Sequence, residues 1–431
     1  MERIFSTDLL AKDGQRVRIA GWLHHQRQLA KVTFALIRDA KGIAQVVIED
    51  DSLREQVGAL LPESVVEVEG LAVRTEQTPG GVEIHEPQFR VISTPSELPP
   101  FELRRPTLNV QLPTLLDNAA VAQRHPRLQA STRISAASVG GFRSTLDGLG
   151  FTEIHTPKIV GSATETGANV FALDYFGRPA YLAQSPQFYK QMMVGALERV
   201  YEVGPVFRAE PHNTARHLAQ YTSLDAELGF IEDHRDVMAV LRQVLAGMLE
   251  AVTQRCPRDL QLLGIELPSV PAEVPSVHFS VAQEMIEAAT GNQVIGEPDL
   301  SPSDERWIGD WARRQHGSDF VFVVGYPMVK RPFYTHPDPV RLEFSNSFDL
   351  LFRGMELVTG GQRLHRYEAY LNALAGVDVG PLDGYLAAFR YGMPPHGGFA
   401  IGLERWVARI VGADNVREVT LFPRDLTRLA P

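Results

Sequence analysis

The amino-acid sequence predicts an α+β protein of two domains, in which a small β-barrel precedes a larger domain with a mostly antiparallel sheet flanked by helices. The chain has 431 residues, which exceeds one ordinary domain of roughly 100 to 200 residues. Short alternating runs separated by turns fill residues 1–95, and this pattern is typical of a barrel. After residue 126, long helical stripes alternate with strands and Gly-rich turns.

The first 95 residues contain five strand-like runs and one helical stretch. In chain order they are three strands (17–24, 33–38 and 43–49), a helix (52–61) and two further strands (65–74 and 82–91). This order is typical of an OB-fold, a barrel that often binds oligonucleotides. We therefore predict an OB-fold domain over residues 1–95.

The rest of the chain divides into a connecting segment and a larger domain. Residues 96–126 carry repeated prolines and little periodicity, which predicts a linker or hinge. The larger domain is predicted to span residues 127–431. Two long helices are expected in it, over residues 128–149 and 237–252, because apolar residues recur there at helical spacing.

The composition excludes several classes of protein. With 44% hydrophobic and 22% charged residues, the chain resembles soluble globular proteins. No apolar run approaches the ~20 residues of a membrane span, and the N-terminus lacks the features of a secretory signal, so we expect a cytoplasmic protein without a membrane partner. A net charge of −10 argues against indiscriminate DNA or RNA binding, so an RNA contact must be local. The single cysteine, Cys256, excludes an internal disulfide.

The most informative segment is a strand, loop and strand over residues 206–228. Side chains in the second strand alternate between the two faces of the sheet, so that one face is apolar and the other carries Tyr221, Ser223, Asp225 and Glu227. Such a face offers an aromatic plate for a base and carboxylates for an ammonium group, while Arg208 supplies a planar fork for a phosphate. An amphipathic strand with surface charges is the alternative interpretation of this segment alone.

Two further segments carry polar or small residues at informative positions. The run Gly398–Arg405 leads from a strand into a helix, and its small residues leave room for a nucleotide, although such a run alone is more often a structural turn. The segment Gln184–Lys190 predicts the start of a helix on which Gln187 and Lys190 share one face.

Together these segments resemble the class II aminoacyl-tRNA synthetases. Phe207–Glu210 is similar to motif 2 of that family, Gly402–Arg405 to motif 3 and Gly150–Pro157 to motif 1. The predicted OB-fold narrows the resemblance to the aspartate, asparagine and lysine branch. Gln184–Lys190, together with a gap between motifs 2 and 3 of only about 170 residues, resembles the aspartyl enzymes of the archaeal and eukaryotic type.

The resemblance implies an ATP-dependent ligase that activates L-aspartate as its adenylate and transfers it to the 3′ end of tRNA(Asp). Arg208, Glu210 and Arg405 are the expected catalytic residues, holding the α-phosphate, the adenine amino group and the γ-phosphate respectively. The other ATP-binding residues implied by the resemblance are Arg216, His217, Leu218, Tyr221, Glu356, Gly402, Leu403 and Glu404.

The resemblance also implies residues for aspartate and for Mg²⁺. Cations should bind the side-chain carboxylate of aspartate, and carboxylates or amides should bind its ammonium group. The expected aspartate-binding residues are Lys190 and Arg363 for the first role, Asp225, Gln187 and Glu165 for the second, and Arg208 and Thr359 beside them. Asp349 and Glu356, with Thr359 as a further oxygen ligand, are expected to bind Mg²⁺, since that ion prefers hard oxygen donors.

The predicted barrel is expected to read the tRNA anticodon. Phe34 would stack on an unstacked base, Gln45 would bond to a base edge, and Arg27 would lie near the backbone, with core packing as the alternative for Phe34. Relatives strict for tRNA(Asp) tend to have tryptophan at the position of His24 and lysine near Pro79. His24 and Pro79 therefore indicate relaxed reading and tRNA(Asn) as a second substrate, although the sequence leaves this open.

Several alternatives stay open at this point. The nearest is an asparaginyl-tRNA synthetase, against which Lys190 argues, because an amide brings a donor where a carboxylate brings an acceptor. A tRNA-free asparagine-making relative would have no use for an OB-fold of the anticodon type. A catalytically inactive RNA-binding paralogue would not need Arg208, Glu356 and Arg405. Motif 1 lies at a two-fold interface in this family, so we expect a homodimer.

Overall fold

A computed structural model of the chain divides into two compact units, residues 1–125 and 126–431. It describes residues 1–78, 80–161, 169–211 and 213–431. Among these residues, no helix is both long and apolar enough to cross a membrane. The first unit contains the predicted barrel together with residues 96–125, and the role of that segment as a separate hinge stays a prediction.

The first unit is built on a closed five-stranded barrel. Its elements are β1 (Arg16–Gln28), β2 (Thr33–Arg38), β3 (Ile43–Ile48), α1 (Asp51–Gly58), β4 (Val65–Arg74) and β5 (Val82–Ser93). The strands close in the order β1-β2-β3-β5-β4, which confirms the predicted OB-fold. β1 extends to Gln28, beyond the predicted end at residue 24, because its first half pairs with β4 and its second half with β2. Two short helices follow the barrel, α2 (Leu112–Asp117) and α3 (Ala119–Ala122).

The second unit combines a large sheet, a small sheet and helices on the flanks. In chain order its elements are α4 (Pro126–Gly148), β6 (Thr152–Glu153), β7 (Ile159–Val160), β8 (Ala172–Tyr175), β9 (Arg178–Leu182), α5 (Gln187–Leu197), β10 (Arg199–Phe207), β11 (Gln220–Gly229), α6 (His234–Arg255), α7 (Pro257–Leu263), β12 (Ser276–His278), α8 (Phe279–Thr290), α9 (Pro302–His316), β13 (Phe320–Val324), β14 (Ser347–Phe352), β15 (Met355–Arg363), α10 (Tyr367–Ala373), α11 (Asp383–Arg390), β16 (His396–Gly402) and α12 (Leu403–Val411).

The large sheet has the strand order β12-β13-β14-β15-β16-β11-β10-β6. The pairs at its two ends, β12 with β13 and β10 with β6, are parallel. The five pairs between them are antiparallel, so the predicted mostly antiparallel sheet is confirmed. β7, β9 and β8 form the small sheet.

One face of the large sheet packs on the core and the other remains available for a site. The predicted alternation in β11 is present, since Leu224, Ala226 and Leu228 belong to the main hydrophobic cluster. The same cluster contains side chains of the two long helices, α4 and α6, which were both predicted from sequence. Because the core lies on one face, the polar side chains of β11 and its neighbours are directed to the opposite face.

Candidate active site

Four strands of the large sheet bring one residue each into a single row. Asp349 on β14 lies opposite Thr359 on β15, Thr359 lies opposite Ala400 on β16, and Ala400 lies opposite Asp225 on β11. Directly opposed residues of neighbouring strands project to the same face of a sheet. Three residues expected to bind Mg²⁺ or aspartate are therefore side by side although they are far apart in sequence.

A β-bulge in β15 changes which side chains of this strand face the site. Glu356 pairs with Leu351 and Val358 pairs with Leu350, so Leu357 is an extra residue. In a regular strand, residues three apart point to opposite faces. With the extra residue, Thr359 and Glu356 meet on one face, and the Thr359 hydroxyl donates to Glu356 Oε1 at 3.3 Å. Bulges commonly redirect side chains beside active sites, and this one has that effect.

Above the row lies a cavity of ≈ 250 Å³. It is lined by most of the residues expected to bind ATP. Its lining consists of Arg208, Glu210, Arg216, His217, Leu218, Tyr221, Ser223, Glu356, Leu357, Thr359, Ala400, Gly402, Glu404, Arg405 and Val416. Leu403 is absent from this lining, because its side chain is buried in the main hydrophobic cluster.

Three arginines give this cavity a cationic wall. Arg405 Nη1 donates to the backbone carbonyl of Glu356 at 3.1 Å and lies 3.7 Å from its carboxylate. Arg405 Nε donates to the carbonyl of Arg216 at 3.3 Å. Burial alone raises the pKa of Glu356, but Arg405 and Arg216 hold that pKa below its ordinary value. The Glu356 carboxylate therefore stays ionised, and the guanidinium groups of Arg208, Arg216 and Arg405 line the same cavity.

The guanidinium of Arg208 lies beside the two residues expected to bind adenine. Its Nη1 is 3.7 Å from Glu210 Oε1, and its central carbon lies 5.7 Å from the centre of the Tyr221 ring. An aromatic face next to a cation suits a flat base that is joined to phosphates.

Two carboxylates, on α9 and α12, accept hydrogen bonds from residues at or next to the cavity. Glu305, a buried residue of α9, accepts hydrogen bonds from Arg216 Nη2 at 2.9 and 3.0 Å. Glu404 accepts the backbone N–H of Thr222 with both oxygens, at 3.0 and 3.1 Å, and so fixes the start of α12 against β11. Sequence reasoning identified Glu404 as an ATP ligand and missed Glu305 entirely, because a carboxylate on a distant helix carries no motif.

A second, fully buried cluster of charges adjoins the row. The side chain of Lys190 is 1% exposed, and its Nζ lies 3.0 Å from Asp225 Oδ1 and 3.2 Å from Glu227 Oε2. Arg363 Nε donates to Glu227 Oε1 at 3.0 Å. The hydroxyl of Ser223 donates to Asp225. Two cations and two anions thus balance one another where the sequence predicted aspartate binding. Glu227 was predicted to lie on this face but was not among the expected aspartate-binding residues.

Glycine at position 398 makes room for this cluster. A Cβ atom on Gly398 would lie 2.0 Å from Glu227 Oε2, closer than any side chain permits. Arg363 Nη2 also donates to the carbonyl of Gly398 at 3.1 Å. The space that the sequence assigned to a nucleotide is therefore filled, at this glycine, by Glu227, whereas Gly402 does line the cavity.

Gln187 is the first residue of α5 and is buried. Its side-chain Nε2 donates to Gln191 Oε1 at 3.0 Å. Lys190 lies on the same face of this helix, as the spacing of three residues predicts. Glu165, the remaining residue expected to bind the ammonium group, lies outside the described residues.

The donors around Asp349 and Glu356 fit Mg²⁺. Asp349 accepts a hydrogen bond from Arg331 Nη2 at 3.1 Å, and burial raises the pKa of Asp349 to about 6. Within the described ranges, no three His, Cys, Asp or Glu side chains gather as a metal site. Mg²⁺ is commonly held by one or two carboxylates together with substrate phosphates, so a pair of carboxylates beside a cationic cavity suits this ion.

The predicted anticodon residues lie on the barrel of the first unit. Arg27 pairs with Phe34 across β1 and β2, and Gln45 on β3 pairs with Leu36, the next residue on the same face of β2. Phe34 is half-buried and does not belong to the hydrophobic cluster inside the barrel. Gln45 Nε2 donates to Glu83 Oε1 at 2.6 Å.

His24 occupies an irregular position in β1. The pairing of β1 with β2 skips His24, between Leu23 and His25, so His24 forms a bulge. Its Nδ1 lies 3.2 Å from Arg38 Nη1. Burial and then the charge of Arg38 lower the pKa of His24 to about 4, so the ring is neutral. Pro79, the other position linked to relaxed reading, lies outside the described residues.

Comparison with known proteins agrees with this geometry. Residues 111–426 match the family described as tRNA synthetases class II (D, K and N), and residues 17–92 match the OB-fold nucleic acid binding domain. The Aspartate--tRNA(Asp/Asn) ligase of Deinococcus radiodurans is 44% identical over 438 residues, which cover 100% of this chain and 99% of that protein. The Aspartate--tRNA(Asp) ligase of Pyrococcus furiosus is 38% identical and covers 97% of each chain.

Among solved structures, the asparaginyl-tRNA synthetase from Pyrococcus horikoshii complexed with asparaginyl-adenylate matches with a TM-score of 0.93 at 31% identity, covering 100% of both chains. The resemblance predicted from the three motifs and the OB-fold is thus confirmed by the family match and by full-length relatives. The chain belongs to the class II tRNA synthetases of the aspartate, lysine and asparagine group.

Proposed function

We propose that this synthetase activates L-aspartate with ATP as aspartyl-adenylate and transfers the aspartyl group to the 3′ end of tRNA(Asp) and of tRNA(Asn). The observation that carries the amino-acid assignment is the buried pair of cations, Lys190 and Arg363. Neither side chain can accept a hydrogen bond. A carboxylate offers these cations acceptors only, whereas the amide of asparagine would direct a donor at one of them.

The anions of the same cluster account for the other end of the substrate. Asp225 and Glu227 accept hydrogen bonds and would bind the ammonium group, in exchange for part of their contact with Lys190 and Arg363. The free cluster is neutral, with two charges of each sign. Binding of aspartate therefore exchanges charge pairs instead of leaving a buried charge without a partner, which would be strongly unfavourable.

The cationic cavity accounts for ATP. Arg208 would bind the α-phosphate, at which the aspartate carboxylate attacks, and Arg405 would bind the γ-phosphate. Tyr221 and Glu210 would hold the adenine face and amino group. The reaction gathers several negative groups and builds further charge at the α-phosphate, so fixed cations in a partly enclosed site lower its barrier by positioning and electrostatic stabilisation.

Asp349 and Glu356, with the hydroxyl of Thr359, would hold Mg²⁺, which when bound would neutralise part of the charge on the phosphates. The two carboxylates are brought together by the row across β14 and β15 and by the bulge at Leu357. In the absence of ATP, Arg331 would balance the negative charge of Asp349, since its guanidinium already donates to that carboxylate.

The barrel would bind the anticodon. Phe34 is outside the hydrophobic cluster of the barrel, which favours the stacking role over core packing. His24 supports charging of two tRNAs, and the Deinococcus radiodurans relative is named as a ligase for both.

We further propose that the enzyme is a homodimer, on the basis of its motif 1 residues, and that it works in the cytoplasm. Light scattering on the purified protein would measure the subunit number.

The experiment that tests this function is charging of purified tRNA(Asp) and tRNA(Asn) with radioactive aspartate, with radioactive asparagine as the control. Aspartate on both tRNAs is the expected result. Aspartate on tRNA(Asp) alone would retain the amino-acid assignment and remove the relaxed reading. Charging with asparagine would overturn the role given to Lys190, and absence of aspartate-dependent exchange of pyrophosphate into ATP would support an inactive RNA-binding paralogue.

A further inference from the structure

A chain of buried hydrogen bonds begins at Gln187, which is expected to bind aspartate, and continues from α5 to β16. Gln187 Nε2 donates to Gln191 Oε1 at 3.0 Å, one turn further along α5. Gln191 Nε2 lies 2.9 Å from Nε2 of His396, on β16. Gln191 and His396 are both completely buried. Neither residue lines the ATP cavity, and neither was identified from the sequence.

The tautomer of His396 follows from its other neighbour. Nδ1 of His396 lies 2.9 Å from the carbonyl oxygen of Pro394, which can only accept, so Nδ1 carries the hydrogen. Burial lowers the pKa of His396 to about 4, although Glu227 and the Pro394 carbonyl act in the opposite direction, and Arg363 and His365 lower it further. The ring is therefore neutral, and Nε2 is an acceptor.

The acceptor on His396 determines how the amide of Gln191 is oriented. Its NH₂ group must face His396, and its second hydrogen is directed at the Tyr370 hydroxyl, 3.2 Å away. Tyr370 donates its own hydrogen to the Leu364 carbonyl at 3.0 Å, so it can accept from Gln191. The Gln191 oxygen is left to accept from Gln187 at 3.0 Å. The single hydroxyl hydrogen of Tyr385 lies within reach of that oxygen, at 3.0 Å, and of the Tyr370 oxygen, at 2.8 Å.

We infer that Gln191 and His396 are positioning residues, which fix the side-chain amide of Gln187 so that its carbonyl oxygen is the acceptor offered to the ammonium group of the amino acid. If the Gln191 amide were reversed, its NH₂ group would meet the NH₂ group of Gln187. Gln187 would then turn round and direct donors at a cation. This inference rests on the proposed function, in particular on the place of Gln187 beside Lys190 on α5.

Three variants test the inference in aspartate-dependent exchange of pyrophosphate into ATP. Gln191→Met keeps the length of the side chain and removes the amide, and His396→Leu removes the acceptor. Both should raise KM for aspartate roughly ten-fold, the scale of one hydrogen bond to a charged group, with KM for ATP unchanged. His396→Gln supplies an acceptor again and should restore KM for aspartate to within about two-fold of the wild type.

Succinate distinguishes positioning from a general loosening of the site, because it has both carboxylates of aspartate and no ammonium group. As a competitive inhibitor it should keep its inhibition constant in Gln191→Met and His396→Leu. An equal rise in that constant, or an unchanged KM for aspartate, would overturn the inference while leaving the proposed function intact. If His396→Leu does not fold, as judged by thermal melting, Gln191→Met decides. Absence of exchange in the wild type would overturn the proposed function and the inference together.

Discussion

Arg417 and Asp425 form an ion pair in which Nε of the arginine lies 2.5 Å from Oδ2 of the carboxylate. The same guanidinium donates to the carbonyl of Thr214 at 2.9 Å and to Oδ1 of Asn213 at 3.0 Å. Thr214 and Asn213 belong to the loop between β10 and β11, which contributes Arg216 and His217 to the ATP cavity. Arg417 therefore links the C-terminal segment to a loop that lines the ATP cavity, and the ion pair with Asp425 holds the arginine in place.

Replacing Asp425 should weaken this connection. Burial acts to raise the pKa of Asp425, but the hydrogen bond from Arg417 and two backbone N–H groups lower it to about 2. A depressed folded-state pKa stabilises the fold above the unfolded value near 4, and that stability is lost as the pH falls through about 2. Asp425→Asn should therefore lower the free energy of unfolding by about 2 kcal/mol at pH 7, with the difference from wild type closing towards pH 2.

Urea unfolding at several pH values measures this difference, with the exposed Asp310→Asn as the matched control. KM for ATP should also rise in Asp425→Asn, since the loop loses its anchor. An unfolding free energy equal to that of wild type at pH 7 would show that Arg417 holds the loop without Asp425.

Much of the fold can be predicted from local patterns in the sequence, whereas the site can be predicted only in part. Alternation in β11 identified the polar face because the strand is long and its other face is uniformly apolar. Arg417, Glu305 and Gln191 could not be identified in this way, because each acts through a tertiary contact with a residue far away in sequence.

The bulge in β15 illustrates the same limit. Regular alternation would have separated Glu356 from Thr359, and only the resemblance to the family placed both at the metal site. The extra residue, Leu357, becomes visible when the register with β14 is known. Backbone pairing across strands, unlike periodicity within one strand, is not encoded in a short window of sequence.

Arg363→Lys tests whether the side chain of bound aspartate needs only a positive charge at this position or also the planar guanidinium. Arg363 reaches Glu227 and the carbonyl of Gly398 with two different nitrogens, and lysine cannot reproduce that fork. We expect KM for aspartate in pyrophosphate exchange to rise at least roughly ten-fold, with KM for ATP unchanged. Arg313→Lys, in an exposed ion pair on α9, is the control. Equal kinetics for Arg363→Lys and wild type would mean that only the charge is used.

Neutralising Glu356 should reveal the metal requirement. Glu356→Gln keeps the size of the side chain and its place on the bulge but removes the negative charge. The exchange rate at saturating ATP should fall about 100-fold, and the Mg²⁺ concentration for half-maximal rate should rise. The exposed Glu343→Gln serves as the control. A normal Mg²⁺ titration curve for Glu356→Gln would remove Glu356 from the metal site.

Replacing Phe34 should weaken tRNA binding and leave adenylate formation unchanged. Its ring lies outside the hydrophobic cluster of the barrel, and stacking of one base on an aromatic ring contributes about 1–3 kcal/mol. Phe34→Leu should therefore raise KM for tRNA(Asp) roughly ten-fold in charging, while pyrophosphate exchange without tRNA stays at the wild-type rate. Phe34→Tyr should retain tRNA binding, and the exposed Ile92→Ala should behave as wild type. A lower melting temperature without a change in KM would instead indicate a packing role.

In our proposal, discrimination between tRNA(Asp) and tRNA(Asn) depends on the neutral ring of His24, which contacts Arg38 through one of its two nitrogens. Arg38 can only donate, so Nδ1 of His24 accepts and Nε2 carries the hydrogen. Arg38 is itself held by both oxygens of Glu63, at 2.7 and 2.8 Å, and that buried pair fixes the orientation of the ring. His24 thus presents a small ring with one defined donor.

Tryptophan at this position would fill more space and has no acceptor for Arg38. Because codons for aspartate and asparagine differ in one base, a narrower site should penalise one anticodon more than the other. His24→Trp should lower kcat/KM for tRNA(Asn) by about ten-fold relative to tRNA(Asp), the scale of one lost base contact, with aspartate-dependent exchange unchanged. His25→Trp, at the next residue, is the matched control. The same ratio of kcat/KM values in His24→Trp and wild type would remove His24 as a determinant of specificity, and a loss confined to His25→Trp would assign the role to its neighbour.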